Sequence, residues 1–172
     1  MPKPVSTWQF NFDFNDETEP KDDKSIMMLI NSGIDFSVLK HHGIPLQYFG
    51  EKIISSGLVL NPQLTWVCFH GCFDMAYFLK LLTNDKLPQN KNQFHQLIDM
   101  YFPHLLDIKS FVYDRIHFDG GLQRIGEFLG VVREGDMHQA GSDSMFTTQV
   151  FFAMFNKCET ESDRKELKYV YD

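Results

Sequence analysis

Near its start the chain alternates apolar and polar residues, and further along it changes to the spacing of helices. The run 8–12, Trp-Gln-Phe-Asn-Phe, has the two-residue period of a half-buried β-strand. Shorter β-prone runs recur later, and they predict three more strands, at 58–60, 65–69 and 105–106. These four runs together predict a sheet.

Helical spacing dominates the segments between the predicted strands. In the segment that begins at Pro45, the apolar residues Leu46, Phe49 and Ile53 fall on one face. Gly57 ends that pattern. The same spacing predicts further helices at 25–31, 73–82, 91–102, 121–129, 142–155 and 162–171. Strands separated by helices predict an α/β fold, in which helices pack on the faces of a sheet.

Length, charge and cysteine content narrow the class of protein. The 172 residues predict a single domain, 1–172, that is large enough to bury a core. The net charge of −7 argues against a broad basic surface that coats nucleic acid. It allows an enzyme that takes one strand end into a cleft, where metal ions supply positive charge. Three widely spaced cysteines and the lack of a long apolar run predict a soluble intracellular protein.

The run 138–144, His-Gln-Ala-Gly-Ser-Asp-Ser, is the segment most indicative of chemistry. Gly141 and Ser142 predict a turn and an N-cap, which would place Asp143 in the first turn of a long helix. There the helix dipole favours a carboxylate, and its oxygens can face a bound cation. His138 on the approaching loop is suited to take a proton from a metal-bound water. The alternative interpretation is structural. In it, Asp143 only caps its helix, and His138 is an exposed residue of the loop.

A second candidate is Asp74, which follows the β-prone run 65–69 at the start of a helix. Open α/β sheets place ligand-contacting residues at such strand ends, although Asp74 could equally serve only the helix dipole. Cys68, His70 and Cys72 alternate and could share a face, as zinc ligands do. Structural zinc requires four ligands at recognisable spacing, and the sequence has no second Cys/His pair, so we do not expect zinc.

A series of short runs in a fixed order extends over almost the whole chain. The runs are 6–12, 31–36, 56–60, 66–74, 80–84 with 87–88, 101–103, 120–123 and 138–144. In this order they resemble the CAF1/Pop2 family of deadenylases, which are DEDD exonucleases of RNase H-like fold. The runs 8–12 and 138–144 are the most specific of the series. The resemblance implies an α/β fold with a mixed sheet flanked by helices.

The resemblance implies roles for the candidate residues. Asp74 takes the place of the family's second metal-binding aspartate, Asp143 that of the last one, and His138 that of the histidine of the DEDDh subgroup. His70 has a supporting role. The implied chemistry uses two divalent ions, Mg²⁺ or Mn²⁺, at the scissile phosphate near an RNA 3′ end. One activates a water with His138 as general base, and the other stabilises the leaving 3′ oxygen, so that AMP is released from a poly(A) tail.

The chain departs from the family at the first motif, an Asp-x-Glu on the opening strand. No Asp-x-Glu occurs anywhere in the sequence. We therefore expect the chain to correspond to the C-terminal two-thirds of a CAF1-type ribonuclease domain, truncated at the N-terminus. Because half of the four carboxylates are missing, each ion would lack charge-matched oxygen ligands. The chain alone is expected to be weakly active or inactive.

The resemblance also implies partners and leaves alternative functions open. Family members act in the CCR4–NOT complex, between a NOT1-type scaffold and a CCR4-type nuclease, in the cytoplasm and the nucleus. The helix from Pro45 to Gly57 matches the region that meets the scaffold. Glu51 and Ile54 are the positions expected to contact it, unless Ile54 is a core residue. A non-catalytic adaptor and a DEDD nuclease of another substrate are the alternatives, and we expect neither a membrane nor DNA as a partner.

Overall fold

The computed structural model describes residues 7–116 and 120–157, and it shows helices packed around a short parallel sheet. The helices of the first half are α1 (Asp23–Asn31), α2 (Phe36–His42), α3 (Leu46–Ser55), α4 (Cys72–Thr83) and α5 (Lys91–Tyr101). The later helices are α6 (Ile108–Ile116), α7 (Leu122–Leu129) and α8 (Ala140–Lys157). The strands are β1 (Trp66–Cys68) and β2 (Leu105–Asp107). The helix predicted at 162–171 lies outside the described residues.

The sheet of the described residues consists of β1 and β2 in parallel. Trp66 pairs with Leu105 and Cys68 pairs with Asp107, so the carboxyl ends of both strands lie side by side. Parallel strands require a long crossover connection, and here α4 and α5 form it. The predicted α/β fold is confirmed, and the edge of the sheet where a ligand is expected lies at the ends of β1 and β2.

The side chains of β2 divide the core into two layers. Successive residues of a strand point to opposite faces, and Leu105 and Leu106 belong to different apolar clusters. The α4 cluster consists of Val59, Met75, Leu79, Leu82, Ile98, Phe102 and Leu105. The α8 cluster consists of Leu106, Ile108, Phe111, Val112, Ile125, Phe146, Val150 and Met154. Helices therefore cover both faces of the sheet.

Two of the helices, α2 and α6, have no counterpart among the predicted ones. In α2, Oδ1 of Asp35 accepts hydrogen bonds from the backbone N–H of Ser37 (2.9 Å) and of Val38 (3.3 Å). In α6, which follows β2 without a loop, Oδ1 of Asp107 accepts from the N–H of Lys109 (2.9 Å). An aspartate thus caps each helix. The seven residues of α2 are too few for an apolar period, whereas Ile108, Phe111 and Val112 of α6 fall at helical spacing and could have predicted that helix. None of the helices within residues 7–116 and 120–157 is long and apolar enough to span a lipid bilayer.

The strand predicted at 8–12 is wrong, because only a single parallel bridge forms there, between Phe12 and Ile44. The N–H of Ile44 donates to the carbonyl of Asn11 (2.9 Å) and no ladder extends from this contact in the described residues. Trp8 is 76% exposed, whereas the ring of Phe12 packs edge-on against Phe49 with centroids 4.9 Å apart. The alternation of this run therefore reflects side-chain packing against α3 and not membership of a sheet.

The strand predicted at 58–60 is also wrong, since the chain turns through this segment. The backbone of Leu60 has a φ of +58°, in the left-handed region, which a strand does not permit. Its N–H donates to the carbonyl of Tyr101 (2.8 Å), and only Val59 of the run is buried. Gly57 already turns the chain, with a φ of +77°. These three β-prone residues therefore lie in the loop between α3 and β1 and pair with no strand of the described residues.

Replacing Gly126 by alanine is expected to lower the free energy of unfolding by about 2 kcal/mol. Gly126 is buried in α7, and a Cβ atom there would lie 2.2 Å from Cζ of Phe146, whose ring is fully buried. Because close-packed interiors leave such a ring little room to move, the overlap must strain the contact between α7 and α8. The measurement is urea denaturation followed by tryptophan fluorescence.

Gly121→Ala is the matched control for this prediction, because a Cβ atom at Gly121 would meet nothing within 4 Å. Its effect on the free energy of unfolding should stay within about 0.5 kcal/mol. Combining Gly126→Ala with Phe146→Leu should recover part of the loss, since the smaller side chain removes the overlap. A Gly126→Ala variant as stable as the wild type would contradict the prediction and show that α7 can shift.

Candidate functional site

A cleft of about 740 Å³ opens at the carboxyl end of β1. Its wall is formed by the end of β1, the starts of α4, α7 and α8, and the loop between α7 and α8. The residues predicted as catalytic, Asp74, His138 and Asp143, all line this cleft. The structure thus brings together residues from separate segments of the chain at the edge where a ligand is expected.

Asp74 lies in the first turn of α4, close to the end of β1. The N-cap residue of this helix is Gly71, which has no side chain to bond the first N–H groups. Asp74 is exposed, and the positive end of the helix dipole favours its negative charge. Its carboxylate is therefore available to a ligand in the cleft.

A buried carboxylate, Asp107, lies under the turn that leads from β1 to α4. Its Oδ1 accepts a hydrogen bond from the N–H of His70 (2.8 Å), and its Oδ2 accepts one from the N–H of Gly71 (2.9 Å). The residue is only 6% exposed. Asp107 is not among the residues predicted from the sequence, but it directly follows the apolar run 105–106. The strand-end argument that selects Asp74 could therefore have selected Asp107 as well.

The thiol of Cys68 faces the same buried carboxylate, with its Sγ 3.7 Å from Oδ2 of Asp107. Burial, and secondly the negative charge of Asp107, raise the pKa of Cys68 to about 12. The thiol therefore stays protonated at neutral pH, and a protonated thiol is a poor metal ligand. The side chains of Cys72 and His70 are exposed, and His70 is not one of the residues that line the cleft. What His70 contributes here is its backbone N–H.

Asp143 lies in the first turn of α8, as predicted, and a neighbouring cation holds it. Nη1 of Arg133 donates to Oδ1 of Asp143 at 2.6 Å, and the Arg133 side chain is 11% exposed. The guanidinium also lies 4.3 Å from the ring centroid of Phe146, and its Nε donates to Gln123 (3.0 Å). The second oxygen of Asp143 has no hydrogen bond among the described residues. Arg133 was not predicted, because nothing in its spacing marks it as the partner of Asp143.

His138 lies on the loop before α8 in a left-handed conformation, with a φ of +65°. Two glutamines tie the residues that follow it to the N-terminal part of the chain. The side-chain amide of Gln139 donates to the carbonyl of Ser32, and Oε1 of Gln9 accepts from the N–H of Gly141 (2.7 Å). His138 is exposed between the main cleft and a second cavity of about 610 Å³ beside α1. An exposed imidazole can exchange protons with water, as a general base must.

The turn and N-cap predicted at Gly141 and Ser142 are wrong. The helix begins at Ala140, so both residues lie within its first turn. Oγ of Ser142 donates to the carbonyl of Glu134 (3.0 Å), and the remote side chain of Gln9 satisfies the N–H of Gly141. A contact between residues so distant along the chain leaves no local signal in the sequence.

A divalent cation would find only part of a coordination shell in this cleft. Mg²⁺ and Mn²⁺ prefer oxygen ligands in octahedral arrangements. The cleft offers the carboxylates of Asp74 and Asp143 beside the imidazole of His138, and Arg133 already engages one oxygen of Asp143. No group of three or more His, Cys, Asp or Glu side chains able to hold a metal ion is found within residues 7–116 and 120–157. Those residues therefore fit a partial ligand set that further ligands would have to complete.

The predicted scaffold-contacting residues lie on α3, which packs against α4. Gly50 makes the close approach possible, since a Cβ atom there would lie 2.9 Å from the carbonyl oxygen of Leu81. Ile53 packs against the α4 cluster, whereas Ile54 is 40% exposed. The alternative in which Ile54 is a core residue is therefore wrong. Glu51 is also exposed, and both side chains are accessible to a partner.

No protein-family model matches the chain, but individual curated proteins do. The chain is 41% identical over 151 residues to the poly(A) ribonuclease pop2 of Schizosaccharomyces pombe, covering 88% of this chain and 45% of that protein. Two probable CCR4-associated factor 1 homologs of Arabidopsis thaliana match over 145 residues and 84% of this chain. Homolog 7 is 43% identical with 53% of it covered, and homolog 10 is 44% identical with 52% covered. The chain thus spans about half the length of these relatives.

Solved structures share the fold. The Mg²⁺ and Mn²⁺ bound form of S. pombe Pop2p has a TM-score of 0.85 and 40% identity, over 88% of this chain and 60% of that one. The RNase domain of yeast Pop2 has a TM-score of 0.79 and 26% identity, and the match covers 87% of this chain and 57% of that one. A chain in the structure of the yeast NOT1 MIF4G domain co-crystallised with CAF1 has a TM-score of 0.71 and 25% identity. The match covers 88% of this chain and 58% of that one.

The sequence and structural matches agree with each other and with the series of short runs found in the sequence. Identity of 41% to 44% extends over more than four-fifths of the chain. The helix-rich α/β fold with its parallel strands is that of the Pop2 RNase domains. The chain belongs to the CAF1/Pop2 family.

Proposed function

We propose that this chain is part of a single CAF1-type ribonuclease domain that shortens poly(A) tails from the 3′ end. The observation that carries the proposal is the convergence of Asp74, His138 and Asp143 on one cleft. Two carboxylates beside an exposed histidine are the side chains that phosphodiester hydrolysis with divalent ions uses. One relative, the Pop2 of S. pombe, supports the proposal, because it is named a poly(A) ribonuclease and its structure was solved with Mg²⁺ and Mn²⁺ bound.

Each residue of the cleft has a distinct task in the proposed reaction. Asp74 and Asp143 would hold divalent ions, Mg²⁺ or Mn²⁺, which supply activation of a water and charge neutralisation at the scissile phosphate. His138, exposed at the cleft, would take the proton of the attacking water. Arg133 fixes the orientation of Asp143 through the contact with Oδ1. The product would be AMP, released one nucleotide at a time.

Activity should depend on ligands beyond those of the described residues. Incubated with 5′-labelled RNA ending in adenosines, with Mg²⁺ and then Mn²⁺, the chain alone should trim weakly or not at all. A version preceded by a CAF1-type segment with an Asp-x-Glu strand should trim stepwise. In that version His138→Ala should lower the rate by about 10² to 10⁴-fold, the usual loss of a general base. The measurement is the length of the labelled products on a denaturing gel.

Three controls sharpen this assay. His41→Ala removes another exposed histidine, from α2, and should leave trimming unchanged. An RNA ending in uridines separates a deadenylase from a nuclease of broader substrate, since both would cut the phosphodiester. Asp143→Asn tests the carboxylate itself. If the chain alone trims as fast as the extended version does, and Asp143→Asn abolishes that trimming, the expected weak activity is contradicted and a complete ligand set exists within these residues.

Mn²⁺ binding can be measured without RNA and tests the carboxylates directly. The chain should bind Mn²⁺ weakly, and Asp74→Asn or Asp143→Asn should each raise the dissociation constant about tenfold or more. The physical reason is the loss of a charged oxygen ligand at a hard cation. Titration followed by electron paramagnetic resonance of free Mn²⁺ gives the constant. Asp99→Asn, which removes an exposed aspartate of α5, is the control and should bind as the wild type does.

A second candidate function is that of a non-catalytic adaptor between a NOT1-type scaffold and a CCR4-type nuclease. The specific observation in its favour is that the sequence has no Asp-x-Glu, so the cleft holds only a partial ligand set among the described residues, while Ile54 and Glu51 on α3 are exposed. A yeast CAF1 has been co-crystallised with the NOT1 MIF4G domain, which supports the scaffold as a partner of this chain as well. The CCR4-type partner and a location in cytoplasm and nucleus stay predictions from the family resemblance. Binding to the scaffold is compatible with either function.

Scaffold binding should depend on the exposed side chains of α3. Ile54→Arg and Glu51→Arg should each weaken binding to a NOT1-type MIF4G domain about 30-fold, the loss typical of a central interface residue. Isothermal titration calorimetry provides the dissociation constants. Ile30→Arg is the matched control, because Ile30 is an equally apolar side chain of similar exposure (47%) on α1. If Ile30→Arg weakens binding as much as Ile54→Arg does, α3 is not the contact surface.

A further inference from the structure

We propose that Asp107 is a positioning residue for Asp74, because its buried carboxylate holds the turn between β1 and α4. The inference rests on the proposed function, in which Asp74 is a metal ligand. Asp107 itself does not line the cleft, so it acts only through the backbone that carries Asp74. The proposal gives a role to a buried titratable group that the reaction does not use.

The carboxylate of Asp107 is engaged on both oxygens by the backbone. Oδ1 accepts from the N–H of His70 (2.8 Å) and of Lys109 (2.9 Å), and Oδ2 accepts from the N–H of Gly71 (2.9 Å). Burying a carboxylate is unfavourable unless hydrogen bonds compensate for the lost water. These hydrogen bonds connect the end of β1, the start of α4 and the start of α6 to one carboxylate. A carboxylate can make all three bonds because both of its oxygens are hydrogen-bond acceptors.

The residues of the turn do not stabilise it by themselves. His70 has a φ of +54°, a left-handed conformation that a residue with a Cβ atom rarely adopts. Gly71 caps α4 without a side chain, and it cannot be replaced by a larger capping residue, since a Cβ atom there would lie 2.6 Å from Sγ of Cys68. Asp107 therefore supplies, from the neighbouring strand, the acceptors for the N–H groups of His70 and Gly71, the two residues that precede α4.

The position of Gly71 determines where Asp74 enters the cleft. The N–H of Met75 donates to the carbonyl of Gly71 at 2.8 Å, which is the bond that begins α4. Asp74 precedes Met75 in that first turn, so a shift of Gly71 moves and rotates the Asp74 side chain. Groups that orient metal ligands in this way commonly contribute 10- to 100-fold to metal affinity.

Asp107→Asn tests the proposal with the smallest change of shape. Asparagine keeps one acceptor oxygen but replaces the other with an NH₂ group, so at least one of the three backbone N–H groups must face a donor. Met154→Ala is the control for general loss of stability, because removing this buried side chain leaves a cavity in the α8 cluster. Comparing the two variants distinguishes loosening of the turn before α4 from a general loss of stability.

Amide hydrogen exchange without metal is the first measurement. In Asp107→Asn, the amides of His70, Gly71 and the first turn of α4 should exchange at least about tenfold faster than in the wild type, as expected when a local structure opens. Amides of α8 should keep their protection. In Met154→Ala any acceleration should not be confined to the turn. Unchanged exchange at His70 and Gly71, or equal acceleration throughout the chain, overturns the proposal.

Mn²⁺ affinity is the second measurement and links the turn to the metal. Asp107→Asn should raise the dissociation constant about tenfold, approaching that of Asp74→Asn, and Met154→Ala should leave it unchanged. An Asp107→Asn variant that binds as the wild type does overturns the positioning role. If the version preceded by the Asp-x-Glu segment binds no Mn²⁺ and Asp74→Asn changes nothing in it, the proposed function fails. The exchange measurement then still decides whether Asp107 holds the turn.

Discussion

The parallel pairing of β1 with β2 is the constraint on which the rest of the structure depends. Each strand has only three residues, yet Leu105 and Leu106 anchor an apolar cluster on either face. Parallel pairing requires the crossover through α4 and α5, and it places Cys68 next to Asp107. Asp107 can therefore bond the turn that starts α4, and the cleft with Asp74 opens at that edge. A shift of register by one residue would exchange the two faces and separate these groups.

The opposite wall of the cleft depends on a buried charge. Arg133 contacts Asp143, Gln123 and the ring of Phe146, and the ring in turn fits against Gly126 of α7. A guanidinium with so little exposure is stable only with an acceptor, and Asp143 provides it. The carboxylate is thus held in place before any cation binds. Arg133 also adds positive charge beside Asp143, so the proposed metal ion would require further anionic ligands.

The sequence was sufficient for the parts of the structure that local spacing determines. The long helices α4, α5 and α8 and both strands were predicted, and the cleft unites Asp74, His138 and Asp143 as the motifs indicated. The runs 8–12 and 58–60 were predicted as strands because alternation and β-propensity do not show whether a neighbouring strand is available for pairing. Arg133 was missed for a different reason, since its role comes from contacts between segments that only the fold brings together. Asp107 follows the run 105–106 and could have been selected as a strand-end residue, but its bonds to the turn before α4 also come from the fold.

The two proposed functions use surfaces that are physically connected. The helix α3 carries Ile54 on its exposed side and packs against α4, where Gly50 brings the two backbones close. The start of α4 carries Asp74, so a partner bound at α3 would contact the same packed pair of helices that carries a cleft carboxylate. Binding a scaffold and hydrolysing RNA are therefore compatible in one domain. An adaptor alone has no need for Asp74, His138 and Asp143 in one cleft, and that convergence is the structural argument for the enzyme.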